Sequence, residues 1–200
     1  MTAARSILIA LFLPLLGACN MVISETPMFA DAERAASLPR DGIWLSEDKD
    51  CVFDSGEPES TWPTCVMWIL VRDGGTDISL SDGKGQSESI HGLVVAGNPM
   101  IVQARWIDTA KEPSRAIYGY YAIEPLKVDT DRRFSEAKLW PVECGLKKGA
   151  DAKIEPFPGI GPGCRPTSQD SIRSAATSSS RGDELSEWRW LRAEATAKRN

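Results

Sequence analysis

Short apolar runs alternate with turn residues along positions 42–144 of the chain. Within one run, Ile78 and Leu80 lie two positions apart, which is the spacing of a strand with one buried face. The dipeptide Asp82-Gly83 follows directly and is a strong hairpin signal. The absence of a long helix between the runs predicts an antiparallel sheet or barrel-like meander, because parallel pairing needs long crossover connections. The runs cover residues 42–45, 66–71, 76–81, 89–95, 100–107, 116–123 and 133–142.

The pattern becomes helical in the C-terminal segment, at about residues 168–197. A first short helix is expected to end at Ala176, and a second helix is expected to begin after Asp183 and to end near Ala197. Apolar residues in the second helix follow a 3-3-4 spacing, which would form one face for packing on the sheet. These are Leu185, Trp188, Leu191 and Ala195. The predicted fold class is therefore mainly β, of the α+β type, with C-terminal helices after the strands.

The N-terminal residues form an apolar stretch of a different kind. Arg5 precedes the run Ile7–Leu16, and the small residues Gly17 and Ala18 follow it. A charged start, a short apolar core and a small-residue exit are typical of a secretory signal peptide. The run is shorter than the roughly 20 apolar residues that a membrane-spanning helix needs.

The sequence Leu16-Gly17-Ala18-Cys19 resembles the lipobox of bacterial lipoproteins. The resemblance implies that residues 1–18 are removed and that Cys19, carrying palmitate among its acyl groups, becomes the first residue of the mature chain. Lipoproteins of this class carry three acyl chains, which suffices for stable anchoring, whereas one chain gives only marginal binding. Asn20 follows Cys19, and the sorting rule of enteric bacteria then implies the outer membrane, with the protein facing the periplasm.

The residues after the acylated cysteine are predicted to form a tether. The segment 19–40 includes Ser24-Glu25-Thr26-Pro27 and reaches Pro39, a helix-stop residue. A single β-rich globular domain is then expected over residues 41–200.

Composition narrows the possible partners. The chain has 23 Lys and Arg residues against 28 Asp and Glu residues, a formal net charge of −5. Because nucleic-acid binding draws much of its affinity from neutralising phosphates, we expect no nucleic-acid partner. The expected partners are the membrane, through the lipid anchor, and another envelope protein.

The cysteine count supports two disulfides. The chain has five cysteines, and acylation of Cys19 leaves an even set of four, which suits an oxidising compartment. The spacings differ from those of zinc or redox motifs, so we predict no metal and no cofactor. Four cysteines permit three pairings, and we favour Cys51–Cys65 and Cys144–Cys164 because each pair brackets a loop rich in Pro and Gly.

Other candidate chemistry is sparse. His91 is the only histidine; it lies in a predicted strand, and no G-x-S-x-G motif accompanies it, which favours a structural or surface role over general-base catalysis. The acidic residues between positions 47 and 59 lack the EF-hand pattern, which favours a solvated loop. Most of the seven tryptophans are expected in the core. Trp62 and Trp190 are the candidates for an exposed binding surface.

Two further resemblances bear on function. Gly42-Ile43-Trp44, at the start of the meander, resembles the G-x-W opening of lipocalin barrels. The order of lipobox, short tether, cysteine-bracketed loop and β-rich body resembles proteobacterial envelope lipoproteins, which brings no assigned activity.

These observations leave three hypotheses. The leading one is a lipid-anchored, non-enzymatic envelope protein with a structural, interaction or binding role, and no catalytic residue is assigned. The alternative is a lipocalin-like carrier of a small apolar ligand, which requires a closed barrel with an apolar cavity. The third is a periplasmic hydrolase.

Overall fold

A computed structural model describes residues 20–81, 87–109, 113–147, 154–179 and 186–194. The described α-helix is α1 (Gln169–Ser179), and short 3-10 turns lie at Asp31–Glu33, Glu59–Thr61 and Pro162–Cys164. The strands, in chain order, are β1 (Ile23–Ser24), β2 (Leu38–Pro39), β3 (Gly42–Glu47), β4 (Val66–Arg72), β5 (Asp77–Ser81), β6 (Ser87–Val95), β7 (Met100–Asp108), β8 (Arg115–Val128), β9 (Arg133–Pro141), β10 (Gly145–Lys147), β11 (Ile154–Pro156), β12 (Ile160–Gly161), β13 (Arg165–Pro166) and β14 (Ser186–Arg192).

Eight antiparallel strands close into a barrel. Strands β3 to β9 pair in sequential order, and β14 lies between β9 and β3 and completes the ring. The segment from β10 to α1 is an excursion between the seventh and eighth barrel strands. Closure leaves each barrel strand paired on both sides, which removes the unpaired edges of an open sheet. The predicted mainly β, barrel-like meander is confirmed.

The second predicted C-terminal helix is wrong where the structure describes it. Residues Ser186–Arg192 form β14, in which Trp188 pairs with Ala137 of β9 and Trp190 pairs with Trp44 of β3. Tertiary pairing overrides the helical spacing here, because the strand supplies hydrogen bonds to two sheet edges at once. The first helix of the predicted segment is confirmed as α1. Residues 180–185 and 195–200 lie outside the described residues.

Residues 20–41 pack on the barrel instead of forming the expected tether. Strand β1 pairs with β8, and β2 pairs in parallel with β9. Val22 and Phe29 are buried, so this polar-looking segment contributes large apolar side chains to the core. The packed fold therefore begins before residue 41. Cys19 itself lies outside the described residues.

The N-terminal segment also covers one end of the barrel. The Ala35 N–H donates to the carbonyl of Val94 at 2.8 Å. Leu38 lies against Gly74, and Pro39 lies against Gly75, in the turn between β4 and β5. We call this the plugged end; β4, β6 and β8 end there. We call the opposite end, where β3, β5, β7 and β9 end, the far end.

Two apolar clusters lie on the two sides of the barrel wall. The inner cluster takes side chains from all eight strands, and the rings of Trp44 and Phe134 meet edge to face in it at 5.9 Å. The outer cluster lies between the wall and α1, where Trp140 Nε1 donates to the Ala176 carbonyl at 2.9 Å. Helix α1 therefore covers the outside of the barrel and leaves its interior to strand side chains.

Candidate functional site

The inner wall of the barrel, toward the far end, is the candidate site. Near the plugged end the inner side chains, such as Phe134 and Val94, are buried. Toward the far end, inward-facing apolar side chains keep accessible surface, and Met67 is 54% exposed. We call the following set the inner-wall residues: Met67, Ile69, Leu80, Ile90, Trp106, Tyr121, Leu139 and Trp188. Apolar surface that faces inward and is not covered by the protein itself is surface that an apolar ligand can cover.

Strand register assigns these side chains to one face. Residues directly opposite each other on paired strands point to the same side of a sheet. Ile69 pairs with Leu80, and Ile69 packs in the inner cluster, so Leu80 faces inward as well. Tyr121 pairs with Val102, which is buried in the same cluster.

A glycine makes room for an aromatic ring on this wall. Trp106 of β7 lies across Gly119 of β8, where an added Cβ would lie 2.5 Å from the tryptophan Cη2. Gly119 pairs with Ala104, another small residue. The missing side chain at Gly119 leaves the space that the indole ring occupies, and any larger residue at this position would push the ring away.

Tyr121 brings one polar group to the otherwise apolar wall. Burial raises the pKa of its phenol, which therefore stays protonated at neutral pH. Its hydroxyl has no hydrogen-bond partner among the described residues. The adjacent Tyr120 points outward and shares a 2.6 Å hydrogen bond with Ser24. Because Tyr121 is half-buried and its hydroxyl is unpaired, the hydroxyl is available to bond a polar atom of a ligand.

Both predicted disulfides are confirmed. Cys51–Cys65 joins residues whose Cα atoms lie 5.8 Å apart and closes the loop between β3 and β4. Cys144–Cys164 has a Cα–Cα distance of 5.1 Å and closes the excursion ahead of α1. The two bridges hold the long connections against the barrel wall, outside the candidate site.

Trp62, a candidate for an exposed binding surface, packs the loop closed by the first disulfide. Its ring meets the ring of Phe53 at 5.3 Å and that of Trp68 at 6.3 Å. The Arg192 guanidinium lies over it at 5.7 Å, and Trp62 Nε1 donates to the Glu57 carbonyl at 3.1 Å. Through these contacts the half-buried Trp62 ring packs as part of the outer wall.

Trp190, the second candidate, lies at the plugged end. Its Nε1 donates to the Asp41 carbonyl at 3.0 Å, and the Arg40 guanidinium lies over its ring at 5.4 Å. It lines a shallow cleft of about 400 Å³ in which Arg40 pairs with Asp129 at 2.7 Å. The structure therefore does not bring Trp62 and Trp190 into one site.

His91 is exposed on the outer wall, where it pairs with Asp77 and Arg105 on the neighbouring strands. It lines an outer cleft of about 330 Å³. The nearby Ser89 hydroxyl donates to Asp77 at 3.0 Å. In the described part of the chain, no hydrogen bond joins His91 to a serine or a carboxylate.

Within the described ranges, no group of three or more His, Cys, Asp or Glu side chains is placed to hold a metal ion. The helices of the described residues include none that is long and apolar enough to cross a membrane.

No protein-family model, curated protein or solved structure matched this chain. Geometry alone therefore defines its class. The class is an eight-stranded antiparallel up-and-down barrel with an N-terminal plug and a helix-bearing excursion ahead of the closing strand.

The inner-wall site was not assigned from the sequence. Its signal was present in the period-two spacing of Ile78 and Leu80, and in the alternation of Trp188 and Trp190. The spacing shows that a strand has an apolar face and a polar face. It does not show that the apolar face lines an interior, which depends on the strands closing into a barrel.

Proposed function

We propose that this chain is a lipid-anchored envelope protein that binds a small apolar ligand on the inner wall of its barrel. The observation that carries the binding role is the accessible, inward-facing apolar surface formed by the inner-wall residues. Burying apolar surface releases roughly 25 cal/mol per Å², so a ligand that covers this wall gains affinity from area alone. The unpaired Tyr121 hydroxyl favours a ligand with one hydrogen-bonding group on an apolar body.

The anchor is proposed on separate grounds. Residues Leu16-Gly17-Ala18-Cys19 support acylation, and the two disulfides fit an oxidising compartment such as the periplasm. Binding and anchoring are independent parts of the proposal, and each has its own test.

Binding is tested with a neutral apolar fluorophore such as N-phenyl-1-naphthylamine. The wild-type chain is expected to bind it saturably. Leu80→Trp adds bulk to the inner wall, and Leu126→Trp adds the same bulk at a position that is 46% exposed near the plugged end. The first variant is expected to bind about tenfold more weakly, which corresponds to about 1.4 kcal/mol, and the second to bind like wild type. A wild-type chain without saturable binding, or equal affinity in both variants, contradicts the binding role.

Anchoring is tested by growing a Gram-negative host that produces the full chain with labelled palmitate. The wild-type chain is expected to take up label and to sediment with the membranes. Cys19→Ser removes the acceptor thiol and is expected to abolish both. Label that persists in Cys19→Ser, or an unlabelled wild type, contradicts the anchor.

A further inference from the structure

A cleft on the outer wall of the barrel holds polar side chains that the proposed function does not use. The cleft lies between residues 27–31 and strands β6 to β8, and its volume is about 330 Å³. His91 of β6 pairs with Arg105 of β7, which pairs in turn with Tyr118 of β8. The three side chains therefore form one row across adjacent strands, with Arg105 in the middle and the strands about 4.8 Å apart.

The polar groups of this row are available to a ligand. Among the described residues, no hydrogen bond or ion pair uses the His91 ring, the Arg105 guanidinium or the Tyr118 hydroxyl. By contrast, the guanidinium of Arg72 on β4 pairs with the Glu194 carboxylate at 2.7 Å. Arg105 therefore offers its N–H donors to the cleft, with a ring N–H on one side and a hydroxyl on the other.

An apolar floor adjoins the polar row. Leu93 follows His91 by two positions and so shares its face of β6. Leu93 is 6% exposed and Phe29 is 3% exposed, and both line the cleft. Pro27 adds a further apolar group at the cleft wall. A ligand whose charged group lies at the polar row can therefore rest an apolar body on this floor.

One wall of the cleft is fixed by a buried amide. Gln103 Oε1 accepts the backbone N–H groups of Met28 and Phe29 at 2.8 and 3.0 Å, and its Nε2 donates to the Phe29 carbonyl at 3.1 Å. Gln169 Nε2 of α1 donates to the Met28 carbonyl at 2.7 Å. Because these bonds hold the wall in place before any ligand arrives, binding would cost little in ordering the protein.

We infer that the outer cleft binds a small organic anion that has one carboxylate and a short apolar body. The Arg105 guanidinium matches a carboxylate in a two-bond pair, and His91 and Tyr118 donate from either side. Asp31 also lines the cleft, and its negative charge disfavours a dianion such as phosphate. This site lies outside the barrel and is independent of the inner-wall residues.

The chain contains its own reporter for this site. His91 is the only histidine, so its imidazole C–H signals report on the cleft alone. The full chain, without a histidine tag and with ¹³C-labelled histidine, is titrated at a fixed, mildly alkaline pH and followed by NMR. Phenylacetate is expected to shift the His91 signals saturably. Phenylacetamide, which has the same body without the charge, and inorganic phosphate are each expected to bind about tenfold more weakly or not at all.

Two arginine variants test the role of the guanidinium. Arg105→Gln is expected to bind phenylacetate about tenfold more weakly, because it removes the charge and the two-bond geometry. Arg132→Gln is the matched control: Arg132 is exposed in the turn between β8 and β9, and the described residues likewise show no ion pair for it. The control makes the same change in net charge and is expected to bind like wild type. Leu80→Trp, on the inner wall, is also expected to bind like wild type.

Each arm has an outcome that overturns the inference. His91 signals that phenylacetate does not shift saturably, or equal affinity for phenylacetamide, would show that the cleft does not recognise a carboxylate. Equal weakening in Arg105→Gln and Arg132→Gln would show an effect of net charge rather than a site. Phosphate that binds as tightly as phenylacetate would refute the preference for one charge. Weakening in Leu80→Trp would place the probe inside the barrel, whereas failure of the inner-wall fluorophore to bind leaves the outer cleft untouched.

Discussion

At the scale of single residues, two glycines set the geometry of the barrel interior. Gly119 leaves the space that Trp106 fills on the inner wall. Gly92 of β6 lets the turn between β4 and β5 approach, and its N–H donates to the Thr76 carbonyl at 2.8 Å. An added Cβ on Gly92 would overlap the carbonyl oxygen of Gly75. Close backbone approach, rather than a special dihedral angle, therefore requires a glycine at position 92.

Gly92→Ala is expected to destabilise the fold by about 1–3 kcal/mol, because overpacking forces the turn away from β6. Gly161→Ala is the matched control, since an added Cβ there would meet its nearest atom at an ordinary 3.5 Å. Urea unfolding, followed by circular dichroism, measures both. If Gly92→Ala and the control have the same urea midpoint, the turn moves away from β6 without a cost in stability, which contradicts the prediction.

At the scale of elements, the sequence predicts the strands that lie next to each other along the chain. Runs with period-two spacing and strong turns, such as the one that contains Ile78 and Leu80, were placed correctly because the local pattern contains the needed information. Strand β14 could not be placed in this way. Leu185, Trp188 and Leu191 fit a helix, whereas Trp188 and Trp190 fit a strand, and only the unpaired edges of β3 and β9 decide between them.

The closing role of β14 can be tested by truncation. A chain that ends before Ser186 leaves β3 and β9 with open edges, so it is expected to lose its cooperative unfolding transition and to aggregate. A chain that ends after Glu194 keeps β14 and the ion pair of Glu194 with Arg72 at 2.7 Å, and it is expected to unfold like the full chain. Size-exclusion chromatography and thermal unfolding compare the two. A folded, monomeric shorter chain would contradict the assignment of β14 as the closing strand.

At the scale of the whole molecule, the N-terminal segment, the barrel and the helix-bearing excursion have separate tasks. Residues 35–41 plug one end, α1 covers the outer wall, and the inner wall keeps apolar surface toward the other end. The disulfides were predictable because each pair brackets a loop. The inner-wall site was not, because it depends on which strand faces meet after closure. Acylation of Cys19 stays a prediction.

Photo-cross-linking with a diazirine-bearing fatty acid, followed by peptide mapping, tests the binding role most directly. The account predicts adducts on inner-wall residues such as Leu80, Tyr121 and Leu139, with competition by unlabelled fatty acid. Peptides that contain Phe134, buried at the plugged end, are expected to carry none. Adducts confined to the outer wall, or labelling that unlabelled fatty acid does not reduce, would contradict an apolar ligand site inside the barrel.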